Sequence, residues 1–248
     1  MAEFTLEIAN CAVAVCSLFD STRDYCRNYL TEDEPDFLVT VSRDDLVFEQ
    51  EALRQEAVEE GIRIRTFTDP FLERAAIQRK FAEFLLYNNI VLVHGSTVAV
   101  DGRAYLFTAR SGTGKSTHTR LWREVFGDRA AMVNDDKPFL ELTETGILAH
   151  GSPWSGKTPC YKNESAPLAG VIRLRQAPAN TFEPMEDIAA FSLLLPGCSV
   201  LRQDKKLHEA LCMTLVSMTE TVCVAQMHCL PDKDAALICL RGVLENLK

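Results

Sequence analysis

The distribution of apolar and polar residues in the middle of the chain predicts a strand, loop, helix and strand in succession. Apolar runs of strand length at residues 95–100 and 103–108, separated by an Asp-Gly pair, indicate a β-hairpin. Apolar positions then recur at helical spacing over residues 116–126, and a short apolar stretch at 130–133 indicates a further strand. A polar, glycine-rich segment separates the hairpin from the helix, and it contains the most informative residues of the chain.

Similar patterns place elements on both sides of this region. Upstream, strands are predicted within residues 4–17 and 36–42, and helices over 44–60 and 71–87. Downstream, the patterns predict a hairpin at residues 139–142 and 146–150, and strands at 168–174 and 222–229. They predict helices at residues 185–195, 207–219 and 232–247. Hairpins and helices mixed in this way favour a mixed-sheet α/β domain over a regular βαβ array.

The organisation of the chain changes near residue 90. The sequence contains no internal repeat, low-complexity tract or flexible linker. We therefore expect a smaller N-terminal α+β region at residues 1–89, packed on a larger domain at residues 90–248. With 248 residues, of which 47% are hydrophobic, the chain can bury one large core or two smaller ones.

Charge and cysteine usage narrow the classes of partner and compartment. A net charge of −9 and a pI of about 5.1 argue against nucleic acid and against an anionic membrane surface as partners. No apolar run reaches the roughly 18 residues of a membrane span. The acidic start, Met1-Ala2-Glu3-Phe4, predicts no secretory signal. Nine scattered cysteines without a Cys-x-x-Cys pair are expected to be reduced thiols, so we predict a cytoplasmic protein.

The segment between hairpin and helix has the composition of a phosphate-binding loop. It reads Ser111-Gly112-Thr113-Gly114-Lys115-Ser116-Thr117. Small residues let backbone N–H groups surround phosphate oxygens, and the helix N-terminus adds partial positive charge. Lys115 would reach the β- and γ-phosphates, and the Ser116 hydroxyl would ligate Mg²⁺. The usual pattern opens with a glycine where this chain has Ala109. The loop and its context predict binding of ATP with Mg²⁺.

An acidic pair follows the next predicted strand, in the sequence Asn134-Asp135-Asp136-Lys137-Pro138. Asp and Pro both favour turns, so a structural turn is one interpretation. Carboxylates at the end of a strand downstream of a phosphate loop can also hold Mg²⁺ or orient the attacking group. Two close carboxylates resist ionising together unless a cation lies nearby. We favour the second interpretation, with one carboxylate as proton acceptor and the other as metal partner.

Three motifs together resemble the catalytic domain of HPr kinase/phosphorylase. They are Val93-His94-Gly95-Ser96, the loop, and Asn134-Asp135-Asp136, in that order and over roughly residues 90 to 240. The resemblance implies a mixed-sheet P-loop kinase fold of the type shared with phosphoenolpyruvate carboxykinase. It implies that Asp135 is the base toward a substrate hydroxyl, with His94 close to that base, which leaves Asp136 as the metal partner. Without the resemblance, His94 reads as a strand-end histidine satisfied by the backbone.

The chain departs from that family after the acidic pair. The family's Glu-Val-Arg-Gly stretch aligns with Leu148-Ala149-His150-Gly151, which lacks both the acid and the arginine. A different substrate loop is expected, and a reverse phosphorylase reaction is not. The chain looks more like the HPr-kinase-related proteins that accompany modified-peptide pathways, some of which phosphorylate a serine on a precursor peptide. Lys157 is either a second phosphate contact or a solvated lysine, and the loop around Trp154 either covers the site or anchors its ring in the core.

The sequence therefore favours a kinase that moves the γ-phosphate of ATP to a hydroxyl. The acceptor is expected to be a serine of a peptide or protein, with a small molecule as the other option. A nucleotide-responsive regulatory module that binds ATP without transferring phosphate is the alternative function. A basic group formed by Arg202, Lys205 and Lys206 would receive an acidic peptide or simply begin a helix. A homo-oligomer is compatible with the sequence.

Overall fold

The chain divides into two compact units, Met1–Phe84 and Leu85–Lys248. The structure is a computed structural model, and it describes residues 2–61, 63–110, 112–156, 163–198 and 204–248. The boundary between the units lies in the last turn of the helix that precedes residue 90.

The first unit is a mixed sheet with helices. Its elements are β1 (Ala2–Ile8), β2 (Cys11–Ser17), α1 (Asp20–Tyr25), β3 (Leu30–Thr31), β4 (Phe37–Thr40), α2 (Arg43–Glu60) and α3 (Asp69–Leu86). The strand order is β3-β1-β2-β4, with β1 and β2 antiparallel and β2 and β4 parallel. Ala9 and Asn10 connect β1 to β2 with φ of 52° and 60°, as a tight two-residue hairpin turn requires.

Helix α2 begins and ends at residues with strong capping chemistry. The Ser42 hydroxyl accepts a hydrogen bond from the Asp45 backbone N–H at 3.3 Å, and the Asp45 carboxylate accepts one from the Ser42 N–H at 2.8 Å. This capping box satisfies amide groups that the first turn leaves unpaired. Gly61 ends the helix with φ of 67°, in the left-handed region. Arg79 on α3 donates to Glu49 on α2 at 2.6 Å, which joins the two helices.

The second unit contains the segments that the sequence analysis marked as functional. Its strands are β5 (Ile90–Leu92), β6 (Ser96–Val100), β7 (Arg103–Thr108), β8 (Ala130–Asn134), β9 (Phe139–Thr143), β10 (Gly146–His150), β11 (Ser165–Gln176), β12 (Thr181–Met185) and β13 (Cys223–Cys229). Its helices are α4 (Lys115–Phe126), α5 (Asp187–Leu194), α6 (Lys205–Thr221) and α7 (Lys233–Glu245).

The long strand β11 joins two groups of strands in this unit. Its first residues pair antiparallel with β10, which continues to β9 and β5. The rest of β11 pairs parallel with β7 on one side and with β13 on the other. Strands β6 and β8 extend the sheet beyond β7, and β12 pairs with β13. The sheet is mixed, which confirms the predicted α/β class.

Helices cover both faces of this sheet. Apolar residues of α5 and α6 pack on one face, together with the buried side chains Leu106 and Val171. Apolar residues of α4 and α7 pack on the other face, together with Phe107 and Ile172. Adjacent residues of β7 and of β11 thus enter opposite cores, as the alternation along a strand requires. Helix α4, which follows the predicted phosphate loop, is fixed through the second core.

The structure differs from the sequence prediction at β12. We expected a helix over residues 185–195, whereas α5 begins at Asp187 and Met185 ends a strand. Glu183 and Pro184 interrupt the apolar pattern of that strand. Proline is tolerated at a sheet edge because its missing N–H needs no ladder partner there. The short elements α1, β3 and β5 were also not predicted, because they have too few residues for a periodic signal.

Candidate active site

The predicted phosphate loop lies between the end of β7 and the start of α4. Gly112 and Gly114 have φ of 78° and 114°, a region that side-chain-bearing residues rarely enter. The Thr113 N–H donates to the Arg110 carbonyl at 3.1 Å, which closes the turn. Ser111 was predicted to bind phosphate and lies outside the described residues. The glycines therefore have a conformational role, since they turn the chain into the helix.

The start of α4 has the features of an anion-binding helix end. Gly114 is the N-cap residue and supplies no side-chain cap, so no described side chain covers this end in that way. Amides of a first helical turn lack intrahelical carbonyl partners and attract anions. The Lys115 ammonium donates to the Ala109 carbonyl at 3.2 Å, which holds its side chain back along the loop. Ser116 and Thr117 belong to the same turn.

The structure brings Asp135 into contact with the predicted phosphate loop. Asp135 follows β8, and its side chain is only 4% exposed. Oδ1 accepts a hydrogen bond from the Ser96 hydroxyl at 2.6 Å, and Oδ2 accepts one from the Ser116 hydroxyl at 3.3 Å. Two predicted site residues that are nineteen positions apart, Ser116 and Asp135, thus meet through their side chains.

Asn134 and Ser152 fix the backbone that carries the acidic pair. Asn134 Oδ1 accepts hydrogen bonds from the N–H groups of Asp136 and Lys137 at 2.8 and 2.7 Å. Its Nδ2 donates to the Ser152 carbonyl and hydroxyl oxygens, both at 3.1 Å. The Ser152 hydroxyl in turn donates to the Lys137 carbonyl at 2.6 Å. The segment is a side-chain-stabilised turn, and that turn is what orients the two carboxylates.

His94 pairs with Asp136. Its Nε2 lies 3.3 Å from Asp136 Oδ1, and its backbone N–H donates to the Gly197 carbonyl at 2.7 Å. Burial raises the pKa of the Asp136 carboxyl, but the hydrogen bond from His94 and the charges of Lys137 and Lys115 outweigh it and hold that pKa below its usual value. Asp136 is therefore an ionised carboxylate at neutral pH.

Gly95 allows the strand after His94 to approach its neighbour closely. A Cβ atom at this position would lie 2.5 Å from Leu106 Cδ1 and 3.0 Å from the Phe107 carbonyl oxygen. The Gly95 N–H donates to the Asp136 carbonyl at 3.0 Å. Both residues of the His-Gly pair therefore have a structural role. Gly95 permits the close approach to β7, and His94 contacts the Asp136 carboxylate.

The structure gives positions for several of the other residues that the sequence marked as candidates. His150 is buried, and its Nε2 lies 2.8 Å from Glu141 Oε2. Trp154 is buried with its ring at the edge of Phe139, at 6.3 Å between centroids, so the ring belongs to the core. Lys205 and Lys206 are exposed residues in the first turn of α6. Lys157 and Arg202 lie outside the described residues.

Oxygen ligands suited to Mg²⁺ converge at the loop. The Ser116 hydroxyl, Asp135 and the ionised Asp136 are hard oxygen donors. Within the described ranges, no group of three or more His, Cys, Asp or Glu side chains forms a metal site by itself. Mg²⁺ in nucleotide sites uses one or two protein carboxylates and completes its shell with phosphates and waters, so the residues present fit such an ion.

Three polar side chains that support the acidic pair, those of Ser96, Asn134 and Ser152, were not predicted from the sequence. Ser96 and Asn134 stood only within motifs, and Ser152 had no predicted role. An Asn directly before an Asp pair is a recognisable turn signal and could have indicated the Asn134 contacts. Nothing in the local sequence marks Ser152, because its partners in the acidic segment, Lys137 and Asn134, lie fifteen and eighteen positions away, and its local contact with the Trp154 carbonyl is long at 3.5 Å.

No protein-family model matches the chain, and no curated protein matches it. No helix in the described part of the chain is long and apolar enough to cross a membrane. Among solved structures, the chain is similar to the Hpr(Ser) kinase/phosphatase from Coxiella burnetii, with 10% sequence identity and a TM-score of 0.37. The match covers 62% of this chain and 89% of that one, and it is a distant structural similarity.

Proposed function

We propose that this protein is a kinase that transfers the γ-phosphate of ATP to a hydroxyl group. The observation that carries the proposal is the contact between Ser116 in the phosphate loop and Asp135 at the end of β8, at 3.3 Å. Phosphoryl transfer needs alignment of the reacting groups and neutralisation of charge. The loop supplies a cationic phosphate site, and Asp135 supplies a carboxylate next to it.

Each residue has a defined task in this proposal. The loop amides of residues 111–117 and the Lys115 ammonium hold the β- and γ-phosphates. Ser116 and Asp136 hold Mg²⁺, which would offset negative charge on the phosphates. Asp135 Oδ1 accepts the shorter hydrogen bond, from Ser96 at 2.6 Å, and Oδ2 accepts the longer one, from Ser116 at 3.3 Å. The proton of the acceptor hydroxyl is therefore taken at Oδ2, once the Ser116 hydroxyl turns toward Mg²⁺. His94 holds the Asp136 carboxylate in place through the contact of its Nε2 with Oδ1 at 3.3 Å.

The acceptor class rests on the family resemblance of the sequence. A serine of a peptide or protein is the proposed acceptor, and a small-molecule hydroxyl is the other option. The missing acid and arginine at residues 148–151 favour the forward kinase reaction over a phosphorylase. A cytoplasmic location and a division of the chain near residue 90 belong to the same proposal.

The test compares acceptor-stimulated ATP consumption in the wild type and in Asp135→Asn, with Mg²⁺ present and with free serine and serine-containing peptides as acceptors. The variant keeps an oxygen for Ser96 but lacks the base. We expect ATP binding to survive and acceptor-stimulated turnover to fall at least about 100-fold, as for loss of a general base. Asp128→Asn, an exposed position, is the matched control and should retain full turnover. Undiminished turnover in Asp135→Asn would remove Asp135 from the role of base.

A nucleotide-responsive regulatory module is the second candidate function. The observation that favours it is that Asp135 is nearly buried and that both of its oxygens already accept hydrogen bonds. A carboxylate in this position could report the state of Ser116 without accepting a proton. Tight ATP binding without turnover for every acceptor tested, together with ATP binding that changes in Asp135→Asn, would favour this function over the kinase.

A further inference from the structure

A cleft rich in arginine adjoins the phosphate loop. It has a volume of about 560 Å³ and is lined by Arg110, Gly112, Thr113, Arg173, Leu174, Arg175 and Gln176. Within the described ranges, none of its three guanidinium groups forms an ion pair with a carboxylate. In a chain with a net charge of −9, three cations without carboxylate partners at one cleft indicate a ligand-binding surface.

The cleft is built onto the loop by the neighbouring strand. Strand β11 pairs parallel with β7, with Arg173 opposite Thr108, so its end lies next to the start of the loop. Arg173 and Arg175 are two residues apart and therefore share one face of the strand. The Gln176 side chain donates to the Thr113 carbonyl at 3.2 Å, which ties the end of β11 to the loop.

The strand order places Asp135 and the arginine-rich cleft on opposite sides of the loop. The order is β8-β6-β7-β11, so Asp135 after β8 and the arginines of β11 lie on opposite sides of the loop that follows β7. A triphosphate with its γ-phosphate at Ser116 and Asp135 would extend across the loop, and the side of the loop away from Asp135 is the β11 side. The cleft is thus on the side where the ribose and base of the nucleotide emerge.

We propose that this cleft receives the nucleoside end of the donor nucleotide, with the guanidinium groups of Arg173 and Arg175 contacting the face of the base. A planar guanidinium stacks on aromatic rings, and nucleic-acid bases stack on such groups. The inference rests on the proposed function, because it assigns the donor's nucleoside to the same site. It makes Arg173 and Arg175 determinants of nucleotide affinity that are separate from the phosphate contacts of Lys115.

Calorimetric titration with two probes, ATP and inorganic tripolyphosphate, both with Mg²⁺, tests this inference. Tripolyphosphate carries the phosphates and lacks the nucleoside. The proteins compared are the wild type, Arg175→Ala, the double variant Arg173→Ala with Arg175→Ala, and Arg241→Ala. Arg241 is an exposed residue of α7 outside the cleft and provides the matched control. The exposed position of Arg175 makes the single variant informative even where the double variant folds poorly.

The expected result is a loss of ATP affinity of about tenfold or more in the double variant, as for removal of base stacking, with a smaller loss in Arg175→Ala. Tripolyphosphate affinity should stay at the wild-type value in both variants, and Arg241→Ala should bind both probes like the wild type. Equal losses for both probes would overturn the inference, because the arginines would then contact phosphate. Unchanged ATP affinity in the double variant would also overturn it, because the arginines would then not contact the donor nucleotide. A wild type that binds neither probe would refute the proposed function itself.

Discussion

At the scale of single residues, the site depends on hydrogen bonds between side chains of different elements. Asp135 accepts hydrogen bonds from Ser96 and Ser116, and Asn134 donates one to Ser152. A buried polar group without a partner is costly, so each of these residues restricts its neighbours. Within the described ranges, the buried hydroxyl groups of Thr97 and Thr108 have no hydrogen-bond partner.

His118 on α4 shows how burial controls protonation near the loop. It is 3% exposed, and its Nε2 accepts a hydrogen bond from Trp122 Nε1 at 3.0 Å. Burial lowers the pKa of His118 from 6.5 to about 4. The imidazole is therefore neutral in the folded protein, as an acceptor for the indole N–H must be.

We predict that His118 makes folding stability decline as the pH falls from about 6.5 to 4. In this range His118 is protonated in the unfolded chain but remains neutral in the folded protein. The free energy of unfolding that His118 contributes above pH 6.5 is therefore lost as the pH falls toward its folded-state pKa, by up to about 3 kcal/mol. Denaturant unfolding at several pH values measures the decline. His118→Gln keeps an acceptor for Trp122 and should reduce the slope in this window. Identical slopes in the two proteins would contradict the prediction.

At the scale of secondary-structure elements, the hairpin of β6 and β7 connects both halves of the site. Strand β7 leads into the predicted phosphate loop, and β6 pairs with β8, which leads into the acidic pair. The position of the hairpin depends on the close approach at Gly95, where the chain enters β6 beside Leu106 of β7. A change there is expected to displace the loop and the acidic pair together.

Gly95→Ala should therefore destabilise the protein by about 1–3 kcal/mol, the usual range for overpacking. The added methyl group would lie 2.5 Å from Leu106 Cδ1, and one of the two must move. Gly197→Ala is the matched control, because its nearest neighbour would be Val93 Cγ1 at an ordinary 3.4 Å. Thermal unfolding of both variants measures the difference. A loss no larger for Gly95→Ala than for Gly197→Ala would show that the close approach is not restrictive.

At the scale of the whole molecule, nucleotide binding should be visible as stability of the second unit. The loop, the acidic pair and the arginine cleft all belong to residues 85–248. A ligand that binds only the folded state stabilises that state by mass action. The first unit, Met1–Phe84, has its own sheet and helices, and it contributes no residue to the proposed site.

We predict that ATP with Mg²⁺ raises the midpoint of thermal unfolding by several degrees. At 100 times the dissociation constant the gain is about 2.7 kcal/mol, which corresponds to roughly 5–10 °C for a unit of this size. Lys115→Ala removes the phosphate contact and should abolish most of the shift. Lys233→Ala changes an exposed lysine at the start of α7 and is the control. An equal shift in Lys115→Ala would place the nucleotide elsewhere.

The sequence predicted the local parts of this structure well. The hairpin at residues 95–108, the helix after the loop and the strand before Asp135 are all present, and the predicted starts of α4 and β8 agree with the structure within a residue. These elements follow from apolar periodicity and from glycine conformation, which neighbouring residues determine. The prediction failed at β12 and at the shortest elements, where the pattern is brief or broken by polar residues.

By itself the sequence determined which residues form the loop, where its glycines lie and that two carboxylates follow the next strand, because these features depend on neighbours along the chain. Only the tertiary structure decided that Ser96 and Ser116 meet Asp135, that His94 pairs with Asp136 and that arginines of β11 adjoin the loop. These contacts depend on strand order, and strand order follows from the burial of both sheet faces at once. No local pattern contains that information.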